Sequence, residues 1–356
     1  MTERVVEVVE RVTRHRGAVP LAADGEARRP AIEWNGGGAW LDPDDPQTPA
    51  NLHVLAKRWE HARPVSMLVD PAGRLLDARV PLIVKVRAFT QFPNGDWDVT
   101  LQPSHAVHVL RNDHPECARL LAVLAAALER RSTVAVTETP VGNDIIDISP
   151  LGHFLFDPLD FGGRIVQAPP PLDRDRWSIL DSAQEAHRLF LALQREGCDR
   201  RTRACIPFAY VKDGCTARAH RMCELMLERG VRPGKVWLFG RLRVPTSSYP
   251  ASDCVVPWKY HVAPVVQVRV GGRIELFAID PALFKRQAVP VERWKRRQRA
   301  AHLDEQLSEP ELWDQPPDGE IVVDSDFSLT PAGLAEYQDQ LGEQIREAGP
   351  PPYCDD

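Results

Sequence analysis

The stretch Asp213-Gly214-Cys215-Thr216-Ala217-Arg218-Ala219-His220 decides the fold prediction for the second half of the chain. Gly214 allows the backbone to turn and to approach its neighbours closely just before a helix. The first turn of that helix presents unpaired N–H groups, whose partial positive charge favours a thiolate over a thiol. The apolar positions that follow at helical spacing are Ala219, Met222, Cys223, Met226 and Leu227. The sequence therefore predicts a helix that starts at Cys215, packs on a core and ends at Gly230.

Two later segments supply the partners that a reactive thiol needs. His261 lies in an alternating, β-branched run that predicts a strand, and Asp280 ends the next predicted strand. Gly271-Gly272 between the two strands indicates a hairpin, and adjacent antiparallel strands can bring His261 beside Asp280. A thiol, an imidazole base and an orienting carboxylate form a nucleophilic triad. The sequence thus predicts a thiol-dependent amide hydrolase with Cys215, His261 and Asp280 as its catalytic residues.

Other candidate residues carry weaker signals. His220 follows Cys215 by five residues on the same predicted helix and is rotated away from it, so we expect a structural or solvent-facing role. Cys223 is predicted to be packing. The remaining histidines, His105 among them, show no HxxxH or HExxH spacing. The sequence therefore predicts no metal site and no organic cofactor.

Composition limits the class of protein. The 356 residues are 43% hydrophobic and 26% charged, which is ordinary for a globular protein and excludes wholesale disorder. A net charge of −6 gives no overall attraction for nucleic acid or an anionic membrane, so neither is expected as a partner. No apolar run approaches the ~20 residues that span a bilayer. Oligomeric state is not predicted.

The cysteines and the N-terminus bear on the compartment. Seven cysteines are an odd number, and they include no CxxC pair and no short disulfide framework. This pattern predicts a reducing compartment. The first ten residues alternate charges with valines and lack the apolar stretch of a secretory signal peptide. We therefore expect a cytoplasmic protein, or one exported by a route that needs no Sec signal.

The chain is predicted to have two domains joined by a linker. Residues 1–150 form a β-rich α+β domain of unknown role, residues 151–175 a Gly- and Pro-rich linker, and residues 176–356 the domain that carries the triad. The elements predicted in the first domain are a leading helix over 2–15, a surface loop over 22–49, strands at 65–69, 80–89, 97–101, 133–136 and 145–148, and a helix over 115–131. Strands, one helix and further strands fit a small OB-like barrel and equally other α+β modules. Helices are also predicted from Trp177 to about Glu196 and from Pro331 to Ala348.

Several segments in one order resemble the bacterial protein-glutamine glutaminases, which are Cys-His-Asp enzymes that deamidate glutamine side chains within proteins. The resemblance covers about residues 206–294. The matching segments are Ile206-Pro207-Phe208, Asp213-Gly214-Cys215, Ala217-Arg218-Ala219-His220, Trp258-Lys259-Tyr260-His261-Val262-Ala263 and Ile279-Asp280-Pro281-Ala282-Leu283-Phe284. The resemblance implies a papain- and transglutaminase-like α+β core and a protein substrate with an accessible glutamine. Thr216 stands where the family often has an aromatic residue, and the first domain does not look like the secretory pro-region of exported members.

The resemblance also implies roles for single residues. Cys215 would be the nucleophile, His261 the general base and acid, and Asp280 the orienting carboxylate. The backbone N–H groups of Gly214 and Cys215 are the expected oxyanion donors, and Trp258 and Tyr260 are the expected substrate contacts. The implied reaction converts glutamine to glutamate through a thioester and releases ammonia.

Two other classes of function use the same residues. A transglutaminase or a cysteine protease shares the thioester chemistry and differs in the acceptor or in the bond that is cleaved. A binding or regulatory protein with a retired active site is the third alternative, and the intact set of three residues argues against it. The first domain is open to two roles, recognition of a target and covering of the cleft.

Overall fold

The computed structural model describes residues 5–9, 12–16, 31–34, 37–60, 63–139, 141–151, 164–198, 205–300, 303–316 and 319–354. Within these ranges the chain folds into twenty strands and six α-helices, which confirms the predicted α+β class. None of the helices in this part of the chain is both long and apolar enough to cross a membrane.

The first elements differ from the prediction. They are β1 (Val5–Val9), β2 (Val12–Arg16), β3 (Ala31–Trp34), β4 (Gly37–Trp40), α1 (Thr48–Glu60), β5 (Val65–Val69) and β6 (Leu75–Arg79). The predicted helix over 2–15 is wrong, because β1 pairs antiparallel with β5 from Val5 opposite Val69 to Val9 opposite Val65. Valines are β-branched and favour a strand once a partner strand is present, and helical spacing alone cannot reveal that partner.

The predicted surface loop over 22–49 is wrong at 31–34, at 37–40 and from 48 on, whereas residues 41–47 form neither helix nor strand. Residues 31–34 and 37–40 form β3 and β4, which pair with each other, and α1 begins at Thr48. Residues 22–30 lie outside the described residues. In α1, Asn51 is buried and accepts a hydrogen bond from the Ala78 backbone N–H at 3.0 Å, which fixes the helix against β6.

The middle of the first half is a curved antiparallel sheet with one helix, as predicted. Its elements are β7 (Leu82–Gln91), β8 (Trp97–Gln102), β9 (His108–Leu110), α2 (Cys117–Arg130), β10 (Thr133–Glu138) and β11 (Ile145–Pro150). The strand order is β11-β10-β7-β8-β9. Val109 also bridges Asp144 in parallel, so β9 returns beside the start of β11 and the sheet curls toward closure. Leu120 and Leu124 of α2 are fully buried against it.

The second half is built around one six-stranded sheet. Its elements are β12 (Ile165–Val166), β13 (Ile179–Leu180), α3 (Ala183–Gln194), α4 (Cys215–Glu228), β14 (Gly234–Pro245), β15 (Val255–Val270), β16 (Arg273–Ala278), β17 (Val289–Pro290), α5 (Val291–Arg297), β18 (Asp304–Ser308), β19 (Leu312–Asp314), β20 (Ile321–Val323) and α6 (Thr330–Ala348). The antiparallel order is β17-β16-β15-β14-β18, and β13 pairs in parallel with β15. The predicted hairpin at Gly271-Gly272 and the helices at α4 and α6 are confirmed. The helix predicted from Trp177 starts later, at Ala183.

Helix α4 packs against the central strand β15, and this contact sets the position of the site. The core between them contains large buried side chains, including Trp237, Trp258 and Tyr260. Burying an aromatic or large aliphatic side chain stabilises a fold by roughly 1.5–3 kcal/mol. Cys215 is therefore held at the start of a helix whose face is anchored on the strand that carries His261.

The described residues contain two disulfides, which the cysteine pattern did not predict. Cys198 is bonded to Cys205, and Cys254 is bonded to Cys354. The paired cysteines are separated by 7 and by 100 residues, and these two spacings form no regular pattern in the sequence. Among the described residues, Cys117, Cys215 and Cys223 are free.

The two halves of the chain contact each other through α6. Arg58 of α1 is 1% exposed at its side chain and lies 3.0 Å from Asp339. The backbone of Val80 accepts from Gln340 at 2.9 Å and donates to Glu343 at 3.2 Å. Of the predicted linker over 151–175, residues 152–163 lie outside the described residues, and Ile165–Val166 pairs with β20 instead of running unpacked.

Candidate active site

Cys215 is the first residue of α4. Gly214 precedes it with φ +81°, a left-handed conformation that side chains other than glycine rarely adopt. A Cβ at Gly214 would lie 2.7 Å from the Tyr337 ring of α6, so the position demands glycine for space as well as for conformation. The thiol is 1% exposed and accepts a hydrogen bond from the backbone N–H of Val262.

His261 and Asp280 come together as the hairpin predicted. The imidazole Nε2 lies 2.8 Å from Asp280 Oδ2, and the Trp294 indole N–H donates to the same oxygen at 2.9 Å. The Trp258 and Trp294 rings stack on the imidazole with centroids 4.4 and 5.4 Å away. Nδ1 of His261 has no hydrogen-bond partner among the described residues. The histidine is thus held at Nε2 and has Nδ1 left for the thiol.

The structure brings all three predicted catalytic residues into one buried cluster. Cys215 Sγ and one nitrogen of His261 lie within 4.8 Å of each other, and a nitrogen of His105 lies within the same distance of both. This spacing is looser than a hydrogen bond. Catalytic contacts commonly tighten when substrate binds. The arrangement can therefore deliver a proton from sulfur to imidazole after a small movement.

The first half of the chain covers these residues. Ala106 forms an antiparallel bridge with Trp258, and the Lys259 backbone N–H donates to the His105 carbonyl at 2.8 Å. His105 Nδ1 lies 2.8 Å from Asp213 Oδ1, and its ring centroid is 5.9 Å from that of His261. The segment from Ser104 to Ala106 thus fills the space above the cysteine.

Sequence reasoning missed His105, Trp294 and the role of Asp213. His105 lies in no motif, and only the tertiary fold brings it near residues more than a hundred positions away. Asp213 stands within the Asp-Gly-Cys segment, which was a signal that it lies close to the site. Arg218 was quoted there without a role, and its guanidinium donates to the backbone carbonyls of Tyr210 and Asp213 at 2.7 and 2.5 Å.

The expected oxyanion donors need one correction. The Gly214 N–H already donates to Asp213 Oδ1 at 2.7 Å, so in this state it cannot serve a substrate oxygen. Asp213 can reach back to that amide because the two residues are adjacent in a tight turn. Cys215 occupies the first helical position, where a backbone N–H has no acceptor within its own helix.

Trp258 and Tyr260, the expected substrate contacts, are both buried. Trp258 is 0% exposed, stacks on His261 and donates to the Val211 carbonyl at 3.0 Å. The Tyr260 hydroxyl donates to Asp314 at 3.1 Å. As placed, both side chains support the histidine and the core, and a substrate contact by either stays a prediction.

Burial governs the charge of the cluster. It raises the pKa of the Cys215 thiol, and the positive charge of Arg218 offsets this only in part. Burial lowers the pKa of His261 against the opposing effect of Asp280, and it lowers the pKa of His105 to about 4. Burial works against ionisation of Asp280, yet the contact with His261 makes the net shift of its pKa downward. The covered site therefore holds a neutral thiol and neutral imidazoles.

The competing histidine has a structural role, as predicted. His220 is fully buried on α4, where its Nδ1 lies 2.8 Å from the Lys235 ammonium and its Nε2 lies 3.3 Å from Asp324. Burial lowers its pKa well below the usual value. Cys223 is likewise buried, and burial raises the pKa of its thiol to about 12.

Comparison with known proteins places this site in a family. Residues 186–298, which include Cys215, His261 and Asp280, match the family model described as glutaminase. This region is a glutaminase-family domain. The match confirms the predicted resemblance and the predicted enzyme class, an amidohydrolase of the glutaminase type.

Solved structures with a similar fold are also found. The crystal structure of pro-protein-glutaminase is 20% identical, with a TM-score of 0.54 over 73% of this chain and 94% of that chain. The crystal structure of its A47Q2 mutant is 21% identical, with a TM-score of 0.54 over 71% of this chain and 90% of that chain. The NMR structure of protein-glutaminase from Chryseobacterium proteolyticum is 25% identical over 45% of this chain and 89% of that chain, with a TM-score of 0.40. A search of curated proteins finds no match.

Proposed function

We propose that this protein hydrolyses the side-chain amide of glutamine within protein substrates, giving glutamate and ammonia through a thioester on Cys215. The observation that carries the proposal is the placement of the thiol beside His261, whose opposite nitrogen is held by Asp280. The glutaminase match over residues 186–298 and the likeness of the fold to pro-protein-glutaminase support it.

The geometry supports a definite order of proton movements. His261 Nδ1 takes the thiol proton as sulfur attacks the amide carbon, and Asp280 stabilises the imidazolium through Nε2. The imidazolium then returns the proton to the leaving nitrogen, so ammonia departs and the thioester remains. His261 next removes a proton from water, which attacks the thioester carbon and releases glutamate and the thiol. No metal or organic cofactor takes part in these steps.

The oxyanion is proposed to form against the Cys215 N–H at the helix start. The Gly214 N–H can join it only after it leaves the Asp213 carboxylate. Since Asp213 also contacts His105, movement of the covering segment would release both contacts together. Opening of the site and completion of the oxyanion hole are thus expected to be one event.

The first half is proposed to keep the enzyme latent. The Cys215 thiol is buried beneath the segment from Ser104 to Ala106, where burial raises its pKa and disfavours the nucleophilic thiolate. The strand order of β7 to β11, with α2 between the third and fourth strands and β9 beside β11, supports an OB-like barrel for this covering domain. Helix α4 on its antiparallel sheet supports a papain- and transglutaminase-like core for the second half.

Partners and location follow from the same features. A protein with an accessible glutamine is the proposed substrate, and nucleic acid and membrane are not proposed as partners. Two disulfides favour an oxidising environment, so of the two expected locations we propose export from the cytoplasm.

The direct test measures ammonia release from an unfolded glutamine-containing protein and from free glutamine, with mass spectrometry of the peptides. The wild-type protein and a Cys215→Ala variant are compared with a Cys223→Ala variant as control, because Cys223 is equally buried on the same helix but is not part of the cluster with His105 and His261. The proposal expects Cys215-dependent conversion of protein glutamine to glutamate. Full activity of Cys215→Ala would contradict it.

The products separate the alternatives. Ammonia release accompanied by crosslinked chains would indicate a transglutaminase, and shortened chains would indicate a protease. Absence of activity of the wild-type protein in all of these assays, and also of the Lys259→Ala variant with a loosened covering segment, would indicate a binding or regulatory protein.

A further inference from the structure

Three buried side chains from the two halves of the chain converge on one point. Cys215 Sγ, one nitrogen of His105 and one nitrogen of His261 all lie within 4.8 Å of one another. His105 comes from the covering segment, and the other two residues come from the glutaminase-family domain. Thiolate and imidazole are the ligands that zinc prefers over harder donors.

Ring nitrogens without hydrogen-bond partners on the two histidines indicate a ligand between them. His105 Nδ1 lies 2.8 Å from Asp213 Oδ1, and among the described residues neither this nitrogen nor Nε2 has a hydrogen-bond partner. His261 Nε2 is held by Asp280, and its Nδ1 is equally unpartnered in this part of the chain. A buried polar nitrogen with no partner is unfavourable, and two of them facing one sulfur need a common partner.

Each histidine carries a carboxylate on its far nitrogen. This pairing, with Asp213 behind His105 and Asp280 behind His261, is the arrangement that orients imidazoles toward a bound metal. At His261 the hydrogen bond from Nε2 to Asp280 leaves the lone pair of Nδ1 for the cluster. At His105 the nearby Asp213 carboxylate favours a proton on Nδ1, which leaves the Nε2 lone pair for a metal. The two carboxylates also balance the charge that remains on a Zn²⁺ ion after one thiolate has bound.

We propose that His105, Cys215 and His261 form a Zn²⁺ site that latches the covering domain onto the catalytic residues. With Zn–N near 2.0–2.1 Å and Zn–S near 2.3 Å, ligand atoms in a tetrahedron stand roughly 3.3–3.6 Å apart. Side-chain movements of about 1 Å would bring the three atoms there, and a fourth position is left for water. Binding would remove the thiol proton to solvent and occupy the nucleophile, so that zinc stabilises the covered state.

The spacing in sequence explains why this site was not predicted. Positions 105, 215 and 261 belong to three separate segments, and metal motifs in sequence are recognised by ligands a few residues apart. The bridge between Ala106 and Trp258 and the hydrogen bond from the Lys259 N–H to the His105 carbonyl bring the first ligand to the other two.

The test is metal binding by the full-length chain after treatment with a chelator. Zn²⁺ binding is measured by calorimetry, and Co²⁺ is used as a probe because a cobalt–thiolate bond gives a charge-transfer band. We expect one ion per chain, a thiolate band, and at least tenfold weaker binding in His105→Ala. His53→Ala, at an exposed histidine of α1, is the matched control and should bind as the wild type does.

His105→Gln keeps a polar side chain of similar size and serves if the alanine variant does not fold, with circular dichroism as the check. Absence of stoichiometric binding by the wild-type protein would overturn the proposal. So would undiminished binding and an unchanged thiolate band in a folded His105 variant, since Cys215 and His261 would then hold the ion alone.

Metal binding itself does not depend on the proposed glutaminase activity, whereas inhibition by zinc does. Ammonia release is therefore measured separately, with and without chelator. Binding by a protein that never deamidates glutamine would contradict the proposed function and leave the zinc site intact. Deamidation unaffected by saturating Zn²⁺ would overturn the latch.

Discussion

At the scale of the residue, His261 owes its readiness to act as a base to what surrounds it. Two indole rings fix the plane of the imidazole, and Asp280 fixes the proton on Nε2. The proximity of His261 and Asp280 was predictable from the local pattern, because a hairpin brings the two residues together by strand pairing. The same pattern could not give Trp294, whose indole N–H reaches Asp280 from a helix that follows the hairpin.

Asp280→Asn should lower the rate of ammonia release by about 10³- to 10⁴-fold while the fold is retained, because an amide favours the wrong tautomer of His261. Trp294→Phe removes one hydrogen bond to the same carboxylate oxygen but keeps an aromatic ring, so this variant should lose far less activity. Steady-state ammonia assays on both variants measure this. An equal loss of activity in the two variants would show that Asp280 supports the packing of the site and does not set the tautomer of His261.

Gly214→Ala should destabilise the protein by about 1–2 kcal/mol for the left-handed conformation and by about 1–3 kcal/mol more for the clash with Tyr337. Gly230→Ala is the matched control, since it also has a positive φ but open space around the added Cβ. Urea denaturation of the two variants gives the difference. A Gly214 variant no less stable than the Gly230 variant would mean that Tyr337 moves aside freely.

At the scale of the element, strand β15 connects the catalytic residues to the segment that covers them. One neighbour, β16, brings the carboxylate to the histidine, and the segment around Ala106 bridges β15 and covers it. Strands β7, β8, β10 and β11 of the first sheet and β15 and β16 of the second were predicted from alternation and turn residues, whereas β9, β14 and β18 were not. The predicted leading helix was wrong, because valine spacing fits a helix equally well until the pairing with β5 is known.

Lys259→Ala should raise both ammonia release and alkylation of Cys215 severalfold, because Lys259 ties β15 to β8 through Asp98 at 2.7 Å and Thr100 at 2.6 Å. Loosening this contact exposes the thiol, lowers its pKa toward the usual value and so increases the thiolate at neutral pH. Peptide mass spectrometry after timed alkylation measures the effect, with Cys223 as internal reference.

Lys295→Ala is the control for that variant. Its side chain is similarly exposed, at 23% against 19%, but pairs only with Glu292 and Glu305 of the catalytic half in the ion pairs that the structure describes. Unchanged alkylation of Cys215 in Lys259→Ala would show that the covering segment does not depend on this contact.

Helix α6 adds a pH-dependent element to the contact between the halves. Burial raises the pKa of Glu343 to about 7, against the opposing charge of Arg346. Because the folded pKa lies above the ordinary value of 4.5, its contribution to stability is full below pH 4.5 and is lost as the pH rises through 7. Glu343→Gln should therefore flatten this part of the stability profile, measured by urea denaturation at pH 5 and pH 8. Glu347→Gln, more exposed on the same helix, should leave the wild-type slope in place.

At the scale of the whole molecule, the disulfide between Cys254 and Cys354 fastens the chain end beyond α6 to the catalytic sheet. No local pattern predicts this disulfide, since its cysteines lie 100 residues apart. Of the residues that form the buried cluster, only those in the catalytic half were predicted from the sequence. The covering residues depend on contacts between distant segments that no local pattern records.

Replacing Cys254 and Cys354 together by serine should lower the free energy of unfolding by about 2–4 kcal/mol, since a long loop loses more entropy on closure than a short one. The Cys198–Cys205 disulfide closes a loop of only 7 residues, so replacing these two cysteines by serine should destabilise the protein less. Chemical denaturation of both variants gives the order. The reverse order would show that strain or local packing outweighs loop length.

Cys117 is the only cysteine before residue 151, and its thiol is free. No sulfur bridge therefore joins the covering half to the catalytic half. If the chain were cut between residues 151 and 164, the two pieces would remain together only by noncovalent contacts, such as Arg58 on Asp339 and the bridge at Ala106. An intramolecular cover would become a second molecule that obeys mass action, so that the cleaved enzyme would respond to dilution and the intact one would not.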